Sequence, residues 1–177
     1  MIKVNILLGR FQPFTKGHLK MVETGYEKNG LKTVLLLIVN KKFDEKHPFF
    51  NESIINLINK FNNPLIHDIL IVKNADIGIF GQLLHDNNYE PVYWLCGTDR
   101  FEKYDLMCKK YKDQFKLPYI QALEIYRTDE DISATQVREA LINNNLDLFT
   151  KLCIGDKNIF DELKRELHEN IQTRNEY

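Results

Sequence analysis

Between Gly9 and His18 the chain reads GRFQPFTKGH, which sets an arginine, an amide, a hydroxyl and an imidazole around two glycines. These are groups that hold phosphate. Gly9 and Gly17 let backbone come close to a ligand. Thr15 offers a hydroxyl, and His18 follows three residues later, near enough for both to face one phosphate group. Taken alone, the segment fits two readings. Thr15 caps a helix with His18 packed beside it, or the helix N-terminus cradles an anion with its unpaired N–H groups. It is neither the Walker loop, with its longer glycine-rich turn and Lys-Ser/Thr ending, nor the G-x-G-x-x-G dinucleotide fingerprint.

Such a loop needs a strand before it and a helix after it. KVNILL (3–8) predicts a strand ended by Gly9, and Leu19, Val22 and Tyr26 give an apolar stripe to a helix from about Lys16 to Glu27. KTVLLLIV (32–39) is a branched, almost wholly apolar run, as expected of a parallel strand covered on both faces. NESIINLINKF (51–61) has helical periodicity, and HDILIV (67–72) and PVYWLC (91–96) read as further strands. A charged amphipathic helix starting near Arg100 leads to a last strand within PYIQALEI (118–125). Alternating strands and helices predict an α/β fold: a Rossmann-like three-layer domain with a five-stranded parallel sheet and C-terminal helices. If the first strand is central, the Gly9–His18 loop lies where ligands bind in such sheets.

ISATQVREALINN then supplies a helix start, with Ser133 as N-cap and Gln136 completing a capping box. DLFTKLCIGDKNIFDELKRELHEN reads as one or two further helices. The chain is expected to form a single domain over 1–177, with a core at 1–142 and a helical part at 143–172; 177 residues suit one ordinary core.

Composition narrows the function. With 24 basic and 25 acidic residues the formal charge is -1, which argues against a nucleic-acid partner. The three cysteines are Cys96, Cys108 and Cys153, without metal-ligand spacing, so neither disulfides nor a protein metal site is expected. The apolar runs are too short for a membrane span or signal peptide, and the cytoplasm is the expected compartment, a host's if the source is viral.

GRFQPFTKGH resembles the first signature, (H/T)xGH, of the nucleotidylyltransferase superfamily, and ISATQVRE resembles its second, ISxTxxR. The resemblance covers Lys3 to roughly Ala140, and GRFQPF is most similar to archaeal-type nicotinamide-mononucleotide adenylyltransferases. That group carries histidine at the position of Thr15; threonine there is usual in pantetheine-phosphate adenylyltransferases. KHPFF resembles the group's ENPF segment, but the arginine that follows a glutamate there is absent, the chain reading Glu52-Ser53. The cytidylyltransferase patterns GTFD and RTxGxSTT are not matched, so ATP is favoured over CTP.

The resemblance implies direct nucleotidyl transfer between ATP and a small phosphorylated acceptor. His18, Thr15 and Arg138 would be catalytic. Gly9, Arg10, Phe11 and Gly17 would meet nucleotide from the first loop, Ser133 and Thr135 would grip the β- and γ-phosphates, and Gly97, Asp99 and Arg100 would lie near the nucleotide from the WLCGTDRF segment. Lys42 is a further nucleotide contact and Lys46 an acceptor contact, although a solvated charge run explains both equally. Gln12 and Arg127 are expected at the acceptor. Trp94 joins them if it stacks on a nicotinamide or adenine ring, though a mid-strand tryptophan also suits a core. His47 has no evident partner. Magnesium is expected with ATP, held by phosphates and water. The resemblance also leaves room for a homo-oligomer.

Overall fold

In the computed structural model residues 1–126 and 133–175 are described, the side chains of 171–175 excepted. The strands are β1 (Ile2–Gly9), β2 (Thr33–Ile38), β3 (Ile66–Val72), β4 (Tyr89–Cys96) and β5 (Gln121–Glu124). The helices are α1 (Lys16–Asn29), α2 (Asn51–Phe61), α3 (Ile77–Asp86), α4 (Thr98–Tyr111), α5 (Ala134–Ile142), α6 (Leu146–Leu152) and α7 (Lys157–Asn175). Contacts divide the chain into two compact units. One takes residues 1–9, 20–39 and the described part of 64–130; the other takes 10–19, 40–63 and the described part of 131–177.

The first unit is built on the sheet. All its pairings are parallel and the order is β3-β2-β1-β4-β5. β2 is apolar after Thr33 because both its faces are covered; Thr33 to Leu37 are fully buried. One face presents Val4, Ile6, Val34, Leu36 and Trp94, closed by Ile77, Phe80 and Leu84 of α3 and Cys108 of α4. The other face meets α1: a Cβ added at Gly25 would stand 3.0 Å from a Leu95 methyl and 3.2 Å from the Asn5 amide. These are the three layers predicted from the sequence. Strand order reverses between β1 and β4, so the crevice beyond Gly9 and Gly97 is the topological switch point.

Helix α3 is the element that pattern reading misses. Asp76 caps it, accepting from the N–H groups of Gly78 (2.8 Å) and Ile79 (3.3 Å), and Ile77, Phe80, Gly81 and Leu84 form its buried stripe. Two glycines lower its helix propensity and obscure the signal. They are needed for packing, since a Cβ at Gly78 would meet the Phe115 ring at 2.8 Å and one at Gly81 would meet Leu117 at 2.9 Å.

Trp94 corrects a functional expectation. It is fully buried, stacked on Tyr104 at 3.8 Å between centroids and edge-on to Phe80 at 5.1 Å. Its ring is core and has no face for a ligand.

The second unit holds α2, α5, α6 and α7 with loops 10–15 and 40–50. α5 packs on α6 and α7, and Phe149 of α6 meets Phe160 of α7 edge-on. Thr15 pairs with Cys153 in an isolated antiparallel bridge, and the Cys153 thiol donates to the Phe14 carbonyl at 3.3 Å. The end of α6 therefore fastens the loop that leads into α1.

Candidate functional site

Thr15 is the N-cap of α1. Its hydroxyl accepts from the His18 N–H at 3.4 Å and its carbonyl from the Leu19 N–H at 3.1 Å. The Thr15 N–H in turn donates to Nδ1 of His18 at 3.0 Å, with the hydroxyl 3.2 Å from the same nitrogen. A ring nitrogen that accepts from a backbone N–H carries no proton, so the neutral imidazole bears its hydrogen on Nε2. Phe11 stands edge-on to the imidazole at 5.0 Å and Phe14 lies tilted at 5.3 Å. Ring position and tautomer are thus both set by the loop. Phe11 has φ 49, a left-handed backbone that is costly for a bulky residue, and its buried ring is what contacts His18.

Gln12, three per cent exposed, corrects another expectation. Its Nε2 donates to the Phe49 carbonyl at 3.1 Å, and its Oε1 accepts the Phe49 N–H at 2.9 Å. The side chain clasps loop 10–15 to loop 40–50 and is not presented to an acceptor. The Gln12–Pro13 peptide bond is cis. The Gln12 carbonyl receives Nη1 of Arg138 at 2.8 Å, while Nη2 donates to the Thr135 hydroxyl at 3.3 Å. Burial lowers the pKa of Arg138 and the carboxylates of Asp44 and Glu139 oppose the shift. The guanidinium stays charged, with N–H groups beyond those two still to offer.

At the start of α5 the expected capping box is present: Ser133 N–H donates to Gln136 Oε1 at 2.9 Å, and Gln136 N–H to Ser133 Oγ at 3.3 Å. The N–H groups of Ala134 and Thr135, in the first turn, have no acceptor within their helix. So Arg138, which also holds Thr135, reaches the loop that carries Thr15 and His18 through the Gln12 carbonyl.

Loop 40–50 is a closed turn. Asp44 accepts from the N–H of His47 (2.7 Å) and Lys46 (3.0 Å) and pairs with His47 Nδ1 at 3.0 Å, which gives His47 the partner its sequence position does not reveal. Partial burial pushes the Asp44 carboxyl up, but the His47 and Lys46 hydrogen bonds and the His47 charge outweigh it and hold the pKa below the usual value. Lys41, Lys42 and Lys46 are exposed. Asn40 secures the base of the turn, donating to the carbonyls of His47 and Phe49 at 2.9 Å each. Glu166 of α7 is buried and accepts the Phe50 N–H and, at 2.6 Å, the Ser53 hydroxyl. Burial raises the Glu166 pKa, with the Ser53 and Phe50 hydrogen bonds opposing. Nothing in the sequence singles out Asn40, whose partners are carbonyls seven and nine residues on, or Glu166, whose partners lie more than a hundred residues away.

In the sheet unit, Gly97 ends β4 as the N-cap of α4, with no side-chain cap, while Asp99 and Arg100 are exposed 3.9 Å apart on its first turn. Gly9 is half-buried at the end of β1, and Arg10, which opens the other unit, is exposed. Arg127 lies outside the described residues. Among the described residues no three His, Cys, Asp or Glu side chains could hold a metal ion, and no helix is long and apolar enough to cross a membrane.

A parallel sheet with this strand order and a shaped loop after its first strand defines an α/β domain of the Rossmann-like class. Within that class the family is specific: the model of cytidylyltransferase-like proteins matches residues 6–140, and the chain belongs to that family. Solved structures share the fold at low identity. Plasmodium falciparum nicotinic acid mononucleotide adenylyltransferase, solved with APC, aligns with TM-score 0.59 at 14% identity over 91% of this chain and 94% of its own. A bifunctional NMN adenylyltransferase/ADP ribose pyrophosphatase from Francisella tularensis aligns with TM-score 0.65 at 16% identity, over 99% of this chain but 54% of its own. Thermotoga maritima TmcAL, solved with alpha-thio ATP, aligns with TM-score 0.57 at 14% identity over 96% and 56%. The chain thus spans about half the length of the latter two proteins. No curated protein matches the sequence.

Proposed function

We propose that this protein is an adenylyltransferase that moves AMP from ATP to nicotinamide or nicotinate mononucleotide, releasing NAD or its deamido form and pyrophosphate. Family membership supports nucleotidyl transfer, and the GRFQPF form of the first motif supports the pyridine-nucleotide acceptor. The observation that carries the reading is the hold of the Thr15 N–H on His18 Nδ1, which fixes the ring and puts its hydrogen on Nε2.

In this reading a phosphate oxygen of the acceptor attacks the α-phosphorus. A new P–O bond forms, the bond to the β-phosphate's bridging oxygen breaks, and pyrophosphate departs. The attacking oxygen is already anionic, so no general base is needed; the work is to align two polyanions and neutralise charge. Nε2–H of His18 donates to the α-phosphate, and Thr15 keeps the ring oriented. The N–H groups of Ala134 and Thr135, with the Ser133 hydroxyl, hold the β- and γ-phosphates. Arg138 neutralises the departing pyrophosphate with the N–H groups not spent on Gln12 and Thr135. We assign Gly9, Arg10, Gly97, Asp99, Arg100 and Lys42 to the nucleotide, and Lys46 to the acceptor. Magnesium travels with ATP as a phosphate chelate and supplies charge neutralisation. Three free, buried cysteines suit a reducing compartment, and we assign the enzyme to the cytoplasm.

The test pairs ATP or CTP, with magnesium, against nicotinamide mononucleotide, nicotinate mononucleotide and pantetheine phosphate, reading product mass and pyrophosphate. NAD or deamido-NAD from ATP is the expected result. Product with pantetheine phosphate alone would keep the chemistry and reassign the acceptor. Binding of ATP without any turnover would replace the enzyme with a nucleotide-binding module.

A further inference from the structure

Helix α2 begins with a residue that capping alone would not choose. Its N-cap position holds Phe50, which makes no side-chain cap, where Ser, Thr, Asp or Asn is favoured. The helix end is held instead from α7, by Glu166, which accepts the Phe50 N–H and the Ser53 hydroxyl. The other end of the same peptide unit, the Phe49 carbonyl, accepts from the Gln12 and Asn40 amides. Gln12, Asn40 and Glu166 are all buried, so the backbone beneath Phe50 is pinned from both sides by side chains of three segments.

What this fixed backbone presents is an exposed ring. Phe50 is 44% exposed and meets Phe43 of the same loop edge-on, 4.9 Å between centroids with the planes at 63°. An edge-on partner covers at most one face of a ring. A π-face carries partial negative charge, so an open one suits a flat ligand, above all a cationic one. Lys42 and Lys46 of the same loop are exposed and suit a phosphate. A ligand with a cationic ring at one end and a phosphate at the other answers both features, and the N-glycosylated pyridine of a pyridine mononucleotide is a cation at every pH. We propose that Phe50 selects the acceptor by its ring: the pyridinium stacks on the open face of Phe50 while the phosphate meets Lys46. That role rests on the pyridine-nucleotide acceptor proposed above, and it supplies the aromatic contact that the buried Trp94 cannot make. Pantetheine phosphate, with a flexible chain in place of a ring, gains nothing from it.

The test is calorimetric binding of nicotinamide mononucleotide, and of ribose 5-phosphate, which keeps the phosphate and lacks the ring, to the wild type, Phe50→Leu and Phe50→Trp. Phe50→Leu keeps an apolar side chain and removes the π-face. It should weaken the mononucleotide about tenfold or more and leave ribose 5-phosphate unchanged. Phe50→Trp should bind the mononucleotide at least as tightly as the wild type. Position 50 is exposed, and circular dichroism checks that each variant is folded. A Phe50→Leu variant that binds the mononucleotide as the wild type does overturns the proposal and leaves the proposed reaction standing. Equal weakening of both ligands overturns it as well, because the loss would then come from a displaced loop. A wild type that neither binds nor turns over a pyridine mononucleotide removes the acceptor itself, and this role of Phe50 with it.

Discussion

Phe49 and Gln12 are bound to each other twice: the Gln12 amide donates to the Phe49 carbonyl and accepts the Phe49 N–H, across 37 residues of sequence. The pair is buried, and the Gln12 carbonyl on its other side receives Arg138. One residue, by its side chain and its main-chain carbonyl, thus aligns three segments: the loop before α1, the turn before α2, and α5.

Gln12→Ala leaves the Phe49 N–H unpaired in a buried place and leaves the Phe49 carbonyl with the Asn40 amide alone. Each loses a hydrogen bond with little access to water, so the folded state should be destabilised by about 2 kcal/mol. Urea unfolding of the variant against the wild type checks the value. A change below a few tenths of a kcal/mol would mean that water replaces the amide.

His18→Ala removes the Nε2–H donor but leaves the cap that Thr15 makes with α1. Turnover should fall by about 10²- to 10³-fold, while ATP affinity changes little, because the donor acts on charge that develops in the transition state. Single-turnover rates and calorimetric ATP binding measure the two separately. An equal loss in both would make His18 a binding residue.

Glu166 gives stability a defined pH dependence. Burial raises its folded pKa above the ordinary 4.5. Below about 4.5 the folded and unfolded forms are both protonated; as pH rises, the unfolded form ionises first, so wild-type stability falls through the folded pKa. Glu166→Gln has no such proton to lose. Denaturation from pH 4 to 7, about the range in which carboxylates titrate, should show the wild type losing ground to the variant. Parallel curves would show that the carboxylate ionises equally in both states.

The thiols should be inert. Burial pushes Cys96 and Cys108 up to about 12 and Cys153 up to about 11, and all three are buried. At about pH 8 a disulfide reagent should find none in the native protein and every one after denaturation. Rapid labelling of Cys153 would indicate that the end of α6 opens readily.

The sheet was legible because parallel strands buried on both faces leave long apolar runs, as TVLLLI does, and the Ser133–Gln136 cap was legible because its partners lie three residues apart. Helix α3 escaped because Gly78 and Gly81, chosen for close packing, mask its periodicity. Gln12 and Trp94 misled for a different reason. An amide or an indole in a motif has the same composition whether it faces a ligand or a neighbouring element, and only burial separates the two. Glu166 could not be read at all, because its meaning depends on Phe50 and Ser53, more than a hundred residues away.

That separation also orders events during synthesis. The α2 N-terminus is fastened by a carboxylate 116 residues downstream, and Phe14 receives a thiol 139 residues downstream. A ribosome therefore delivers the sheet strands well before it delivers the groups that fasten loops 10–15 and 40–50. Contacts so distant in sequence carry a loop-closure cost and form late. A nascent chain halted before α7 would hold every residue of both motifs with the turn before α2 lacking its Glu166 anchor.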